Sequence, residues 1–431
     1  MTADPKRQFA VDVVRKLHDA GFRALWAGGC VRDFLLGIGP KDYDVATDAV
    51  PKQVREIFGK RNTHAVGASF GVILVIGPKD AGKVEVATFR TDGSYRDGRR
   101  PDSVEFSTPE EDARRRDFTI NGMFYDPLAQ QVFDFVGGEA DLSAGVIRAI
   151  GDPHDRVRED KLRMLRAVRF AATLDFELDP ATADAVREMA AEIHVVSVER
   201  ITQELKRMLV DRHRMRAMTL CRDVGLLHEF LPELAPVLGD APAAEASPEW
   251  DVTLHTLQLL QDPAFELAAA ALLRAVASSQ GTGDEAVAIT AGEICRRLKT
   301  SNEERDHVEW LLAHRHALDD APQLSLCRLK RLMAHPLFGD LLSLMRAERI
   351  ARNVDLAPVV FCEEYLRNTP REEIHPPDLL TGDDLIALGF TPGPQFKDWL
   401  TVVRDAQLNG DIATRDEAVA VVQRLQQTGS E

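Results

Sequence analysis

The chain has 431 residues, 45% hydrophobic and 28% charged, a composition that points to two to four folded domains and excludes a disordered chain. No apolar stretch reaches membrane-spanning length, because the longest, over residues 265–277, is interrupted by Glu266 and Arg274. The formal net charge of −16 argues on average against nucleic acid, but arginines concentrate over 96–100, 114–116 and 156–169, where an RNA would be held locally.

Residues 6–20 carry Phe9, Val13, Val14 and Leu17 at helical spacing. An apolar run over 22–27 then ends in Gly28-Gly29, and a helix is expected from 30 to 36. A strand, a glycine turn and a helix start in succession make a phosphate site. Glycine lets backbone approach the oxygens, the helix N-terminus presents free N–H groups, and Arg32 lies one turn in. Asp42 and Asp44 follow at the head of a strand expected over 43–47, where residues two apart share a face. Two carboxylates aimed at one point repel unless a cation lies between them. By itself Asp-Tyr-Asp is also ordinary loop chemistry; the glycine pair and Arg32 upstream favour the functional reading.

A helix over 51–58 and strands over 71–76 and 83–90 complete a small mixed sheet. The last strand carries Glu85 among apolar residues. Glu85 either faces solvent on an edge strand or joins Asp42 and Asp44, and three such carboxylates would suit Mg²⁺ and in-line nucleotidyl transfer. Residues 91–106 read as a Gly-, Asp- and Arg-rich loop, and 112–124 place three arginines ahead of Asp117 and Asn121. Short strands are expected over 132–136 and 146–149, with a break at 151–153.

Beyond 154 the pattern turns helical. A helix over 158–172 sets Asp160, Arg163, Arg166 and Arg169 three apart along one ridge, with Leu162, Leu165, Val168 and Ala172 on a core face. Asp160 and Arg163 at this spacing form either a plain intrahelical ion pair or a base reader. Cytosine and adenine both place an amino donor beside a ring-nitrogen acceptor, and an Asp acceptor next to an Arg donor matches that edge; uracil and guanine reverse it.

As an ordered set these motifs resemble the class II tRNA nucleotidyltransferase (CCA-adding enzyme) and bacterial poly(A) polymerase family, in the DNA polymerase β superfamily. The residues carrying the resemblance are Gly28 to Asp33, Asp42-Tyr43-Asp44, Arg115 to Asn121, Glu159 to Arg163 with the run to Phe170, and Ser197 to Ile201. Over 1–235 the match is strong. It implies an α+β nucleotidyltransferase head with a five-stranded mixed sheet over 1–150. An all-α neck (151–235), body (250–320) and tail (321–431) would follow. Asp42 and Asp44 would bind two Mg²⁺ ions with Glu85 as a third carboxylate. Gly28, Gly29, Arg32 and Arg116 would hold the triphosphate; Asp160 and Arg163 would read the base, with Arg166 and Arg169 on the nucleotide. The implied reaction adds C and A to tRNA 3′ ends from CTP and ATP, without a template and with release of pyrophosphate. The alternatives are A-only addition or poly(A) synthesis on the same scaffold, or a silent RNA-binding or metal-phosphohydrolase protein. A loop carrying Arg96, Asp97 and Arg100 resembles the one that permits the switch to A, which disfavours a CC-only enzyme.

Residues 235–248 read as a linker. The segment 250–316 resembles an HD metal-phosphohydrolase domain with His255 retained, but Arg274-Ala275 replaces the His-Asp pair, and His314 and His316 alone are a poor metal set. A degenerate body without hydrolase activity is therefore expected. The tail is similar to the family's tRNA-gripping tail, and its turn at 381–394 equally suits packing alone. Five scattered cysteines (Cys30, Cys221, Cys295, Cys327, Cys362) suggest neither zinc nor disulfides. The start MTADPKRQFA lacks a secretory apolar core, so a cytoplasmic protein with tRNA and nucleoside triphosphates as partners, and neither membrane nor DNA, is expected.

Overall fold

A computed structural model describes residues 4–67, 71–92, 104–239, 245–276 and 283–428. The loop residues Arg96, Asp97 and Arg100 lie outside them. The chain forms two compact units, 1–245 and 246–431.

The first unit begins with α1 (Pro5–Asp19), β1 (Ala24–Ala27), α2 (Gly29–Leu35), β2 (Asp44–Thr47), α3 (Pro51–Phe58), β3 (Thr63–Gly67), β4 (Val72–Ile76) and β5 (Lys83–Thr88). It continues through β6 (Arg90–Asp92), β7 (Val104–Phe106), α4 (Pro109–Arg114), β8 (Phe124–Asp126), β9 (Gln131–Phe133), α5 (Gly138–Ala144) and β10 (Val146–Ile147). Helices then dominate: α6 (Pro153–Glu159), α7 (Leu162–Thr173), α8 (Pro180–Met189), α9 (Val198–Leu209) and α10 (Arg214–Asp223), with only β11 (Glu177–Leu178) between them as strand.

The main sheet is mixed, as expected, but has seven strands instead of five, in the order β3-β4-β5-β2-β1-β8-β9. Only β2 and β5 run parallel within it. The extra strands sit at its edges. β3 pairs with β4 across a hairpin, and β8 with β9 across the Asp126-Pro127 turn, where Asp126 Oδ1 accepts the N–H groups of Leu128 and Ala129. The strand expected over 132–136 stops at Phe133. Asp134 takes up the N–H groups of Val136, Gly137, Gly138 and Glu139, each at 3.0 Å, and so starts a helix. The strand expected over 146–149 leaves the main sheet and pairs with β11.

Alternation decides which face of the sheet is available for chemistry. Along β5, Val84, Val86 and Thr88 are buried while Lys83 and Glu85 are exposed. The face carrying Val45, Val86 and Ile73 is covered by α1, which buries Ala10, Val13, Val14 and Leu17, and by α3. On the opposite face Asp44, Glu85 and Leu74 stand in one cross-strand row.

The helix expected over 158–172 is two helices. Asp160 adopts an extended conformation (φ −146°, ψ 105°), and its Oδ1 accepts the Leu162 N–H at 3.0 Å. A short carboxylate competes for nearby backbone donors, which suits a helix start better than a helix interior. Arg163, Arg166 and Arg169 remain on one ridge of α7, whose other side buries Leu162, Leu165, Val168 and Ala172 against α9 and α10.

The second unit is helical throughout its described residues, from Pro248–Leu259 to Arg415–Thr428. Part of the expected linker is helix, over Ala235–Leu238, and its residues 240–244 are not described. Arg274, at the position of the missing His-Asp pair, is buried; its Nη1 donates to Glu249 Oε1 at 2.8 Å and Glu348 Oε1 at 2.9 Å. Arg352 donates to the same two acids. His316 Nδ1 lies 2.8 Å from Asp284 Oδ1, and His314 Nδ1 lies 2.8 Å from the Trp310 carbonyl. The tail packs its own cluster of Leu380, Leu385, Val403, Ala418 and Val422, and Thr381 caps Gly382–Ala387.

Candidate active site

Where β1 gives way to α2, Gly28 adopts φ 73°, ψ −134°, a conformation that side-chain-bearing residues avoid. Space demands glycine as well, because a Cβ there would lie 2.7 Å from Arg116 Nη1. Gly29 opens α2, and one turn on Arg32 is 8% exposed. Arg32 Nη1 donates to Asn121 Oδ1 at 2.8 Å, while Nε and Nη2 donate to Asp33 Oδ1 at 2.8 and 2.6 Å. Arg116 and Arg115 are both anchored on the buried Asp112: Arg116 Nε and Nη2 donate to Oδ2 at 3.1 and 2.9 Å, and Arg115 Nε and Nη2 to Oδ1 at 2.9 and 2.6 Å. Burial alone would raise the Asp112 carboxyl, but Arg116 and Arg115 outweigh it and hold the group below its ordinary range. One buried anion thus orients two cations beside the glycine turn.

Asp44 begins β2 and is in register with Glu85 on β5. Its edge is exposed, yet protein crowds the carboxylate from most sides. Desolvation, then Glu85, then Asp42 raise it to about 6, against the lowering effect of Arg116. Asp42 lies in the exposed turn ahead of β2, so strand alternation does not by itself align it with Asp44. Such an excess of negative charge, on oxygen donors only, fits a hard divalent cation. Mg²⁺ is commonly held by one or two carboxylates with substrate phosphates completing the shell. Among the described residues no three His, Cys, Asp or Glu side chains are grouped to hold a metal, so the fit is to Asp42 and Asp44, with Glu85 acting through its charge. Neighbouring Cys30 is no nucleophile, since burial pushes its thiol up to about 12.

Across the cavity from the glycine turn stand α6 and α7. Asp160 is gripped at both oxygens by Arg200 of α9, whose Nη2 donates to Oδ2 at 2.7 Å and Nη1 to Oδ1 at 3.2 Å. Arg163 pairs with Glu159 Oε2 at 2.5 Å and donates to the carbonyls of Arg115 and Arg156, each at 3.0 Å. The intrahelical Asp160–Arg163 pair open from spacing is therefore not formed; each group has its own anchor. Arg166 donates to Asp117 Oδ2, at 2.8 Å from Nε and 2.5 Å from Nη2. Asp117 is buried, which alone would raise it, but Arg166 and the Asn121 amide bring it down to about 2. The Phe170 ring has three guanidinium carbons near it, from Arg169 at 4.1 Å, Arg32 at 5.0 Å and Arg166 at 5.2 Å.

These groups enclose a cavity of about 440 Å³. Of the residues expected from sequence, Gly28, Gly29, Arg32, Asp44, Arg116, Asp160, Arg163 and Arg166 line it. Asp42 lines a different cavity, Glu85 stands behind Asp44, and Arg169 is turned to Glu204 at 2.5 Å instead of the cavity wall. Arg115, Asp117, Asn121 and Phe170 line it without having been assigned a role, and Arg200 supports it from α9. Asp117 and Asn121 had a legible signal, standing four apart just after three arginines; Phe170 had none beyond its place on α7.

Residues 24–148 match the family of the poly A polymerase head domain, and 175–238 match that of the probable RNA and SrmB-binding site of polymerase A. A CCA-adding enzyme of Enterococcus faecalis is 37% identical over 265 residues, 60% of this chain, and the match spans 64% of that relative's length, under two thirds. The CCA-adding enzyme of Lactiplantibacillus plantarum is 31% identical over 426 residues, which is 97% of this chain and 96% of the relative. Among solved structures, the Bacillus stearothermophilus CCA-adding enzyme in complex with CTP superimposes with a TM-score of 0.73 and 28% identity, covering 99% of both chains. With the head, the neck and nearly the whole length matched, this chain belongs to the family of CCA-adding enzymes.

Proposed function

We propose that this protein adds C and A to the 3′ end of tRNA from CTP and ATP, without a template and with release of pyrophosphate. The observation that carries this reading is a single cavity with Asp44, backed by Glu85, at one end and Asp160 with Arg163 at the other. Arginines and a glycine turn lie between them, as a nucleoside triphosphate requires.

In this reading the α2 N-terminus, Arg32 and Arg116 bind the triphosphate oxygens, and Gly28 keeps the backbone close to them. Asp160 accepts from the amino group of cytosine or adenine while Arg163 donates to the neighbouring ring nitrogen. Arg200 and Glu159 hold those two groups in place, so the protein itself performs the base reading. Asp42 and Asp44 would hold two Mg²⁺ ions, which supply positive charge to the attacking 3′-hydroxyl and to the departing pyrophosphate. Arg166 and Arg169 act on the nucleotide through Asp117 and Phe170, since Arg169 has no place in the cavity wall. Arg96, Asp97 and Arg100 are assigned to the switch from C to A. A cytoplasmic location follows from the tRNA substrate.

The test supplies purified protein and Mg²⁺ with tRNA lacking CCA, tRNA ending in CC, and an unstructured RNA, each with CTP or ATP. Two C and one A on the first substrate are expected. Long A tails on the unstructured RNA would overturn the tRNA assignment, and failure to use CTP would leave A-only addition.

A further inference from the structure

In-line displacement places the attacking oxygen and the leaving group on opposite sides of the phosphorus. The arginine-lined cavity contains Asp44 but not Asp42. A separate groove of about 480 Å³ contains Asp42 but not Asp44. The two carboxylates thus look onto two spaces, and a triphosphate in the first leaves the second for the nucleophile.

That groove has an apolar floor and a cationic rim. Its floor includes Leu74 and Ile76 of β4, on the sheet face that carries Asp44 and Glu85; Ile76 is 40% exposed, unusually wet for an isoleucine on a strand. Its rim carries Lys6, Lys79 and Lys83, all exposed. Lys6 Nζ donates to the Lys41 carbonyl at 2.8 Å, whereas Lys79 and Lys83 have no ion pair among the described residues. Three lysines beside three carboxylates offset the repulsion that an incoming phosphate would otherwise meet from Asp42, Asp44 and Glu85. Apolar surface suits the faces of a ribose or base, and ammonium groups suit the phosphates between them.

We propose that this groove seats the 3′-terminal single strand of the RNA, with its last hydroxyl delivered to Asp42 from the side opposite the triphosphate. The inference rests on the nucleotidyl-transfer reading above, and two measurements separate their fates. Full-length protein is irradiated with a tRNA bearing a photoreactive thiouridine as its 3′-terminal base. Attachment within 74–84 is expected, whether or not nucleotide is incorporated, and attachment solely outside the groove would overturn the proposal. The double variant Lys79→Gln, Lys83→Gln is then compared in the incorporation assay. Because both lysines are exposed, an unchanged thermal transition verifies the fold. RNA KM should rise about ten-fold with nucleotide KM within about two-fold, and the slope of log KM against log salt should fall by about 1.4, for two single-strand phosphate contacts. An unaltered RNA KM, or equal losses for RNA and nucleotide, refutes the groove while leaving the function standing. Failure of the wild type to incorporate either nucleotide refutes the function, and the cross-link then decides the groove alone.

Discussion

Asp42 and Asp44 differ by two positions and by surroundings. Asp44 is crowded by Glu85 and raised to about 6, while Asp42 stands in an exposed turn. Removing Asp42 therefore relieves charge without opening a core. Asp42→Ala should lower nucleotide incorporation by on the order of 10³ with no loss of thermal stability; near-wild-type turnover in a primer-extension assay would sink the metal-holding role. Asp117 is the opposite case, a buried carboxylate whose ordinary value is lowered to about 2 by Arg166. Its ionised form is favoured by folding, so its contribution is fully present above the unfolded value near 4 and is lost as pH falls from about 4 to 2. Urea unfolding between pH 5 and 2.5 should show a loss of about 2 kcal/mol. Asp117→Asn should flatten that dependence, and an equally steep decline in the variant would contradict it. Glycine at 28 and carboxylates at 42 and 44 could be singled out from sequence because turn chemistry and charge repulsion are local. Arg200 could not, because its purpose is to hold Asp160, forty residues earlier.

At the scale of elements, α7 does more than its spacing suggested. One side packs on α9 and α10, and the other offers Phe170 to arginines from α2 and from α7 itself. Arg32 comes from the glycine-turn end of the cavity and Arg166 from the base end, so one ring orients both. Each cation–π contact is worth about 0.5–2 kcal/mol, so Phe170→Leu, which keeps bulk and loses the quadrupole, should raise KM for CTP and ATP about five-fold. Phe170→Tyr should restore it, and kcat at saturating nucleotide should change little. An equal effect in both variants would reduce Phe170 to packing. The sheet's two edges show where pattern reading runs out. β3 and the β8–β9 hairpin are short, and short runs do not separate strand from turn by periodicity. The break at Asp160 was hidden for a related reason: the 3.6-residue pattern continues across it, and only the carboxylate's bond to Leu162 N–H shows the stop.

For the molecule as a whole, each of the two compact units is organised around a different use of charge. In the first, buried acids orient arginines toward a cavity; in the second, Arg274 is enclosed with Glu249 and Glu348, with Arg352 bridging the same acids. Burial pulls Arg274 below its ordinary value, against the attraction of Glu348 and Glu249. Arg274→Met would leave two partly buried carboxylates with one cation fewer. A loss of about 3–5 kcal/mol is expected, read as a lowered unfolding transition of the full chain; an unshifted transition would show the network to be dispensable. The same arginine explains the departure from a His-Asp metal pair in chemical terms, since a guanidinium occupies that position and is committed to two acids.

What the amino-acid order determined unaided was local: the glycine turn before a helix, two aspartates at the head of a strand, arginines on a helical ridge, and the mixed α+β head ahead of helices. Backbone conformation, period and charge density act over a few residues, and they can be read in a line. Which of those groups share a space was decided only in three dimensions. Register brought Glu85 beside Asp44, α9 brought Arg200 to Asp160, Asp112 turned two arginines toward Gly28, and α7 faced Arg169 to Glu204 and away from the cavity. The reason is that ion pairs and carboxylate repulsion depend on distance through space, and folding sets that distance independently of separation along the chain.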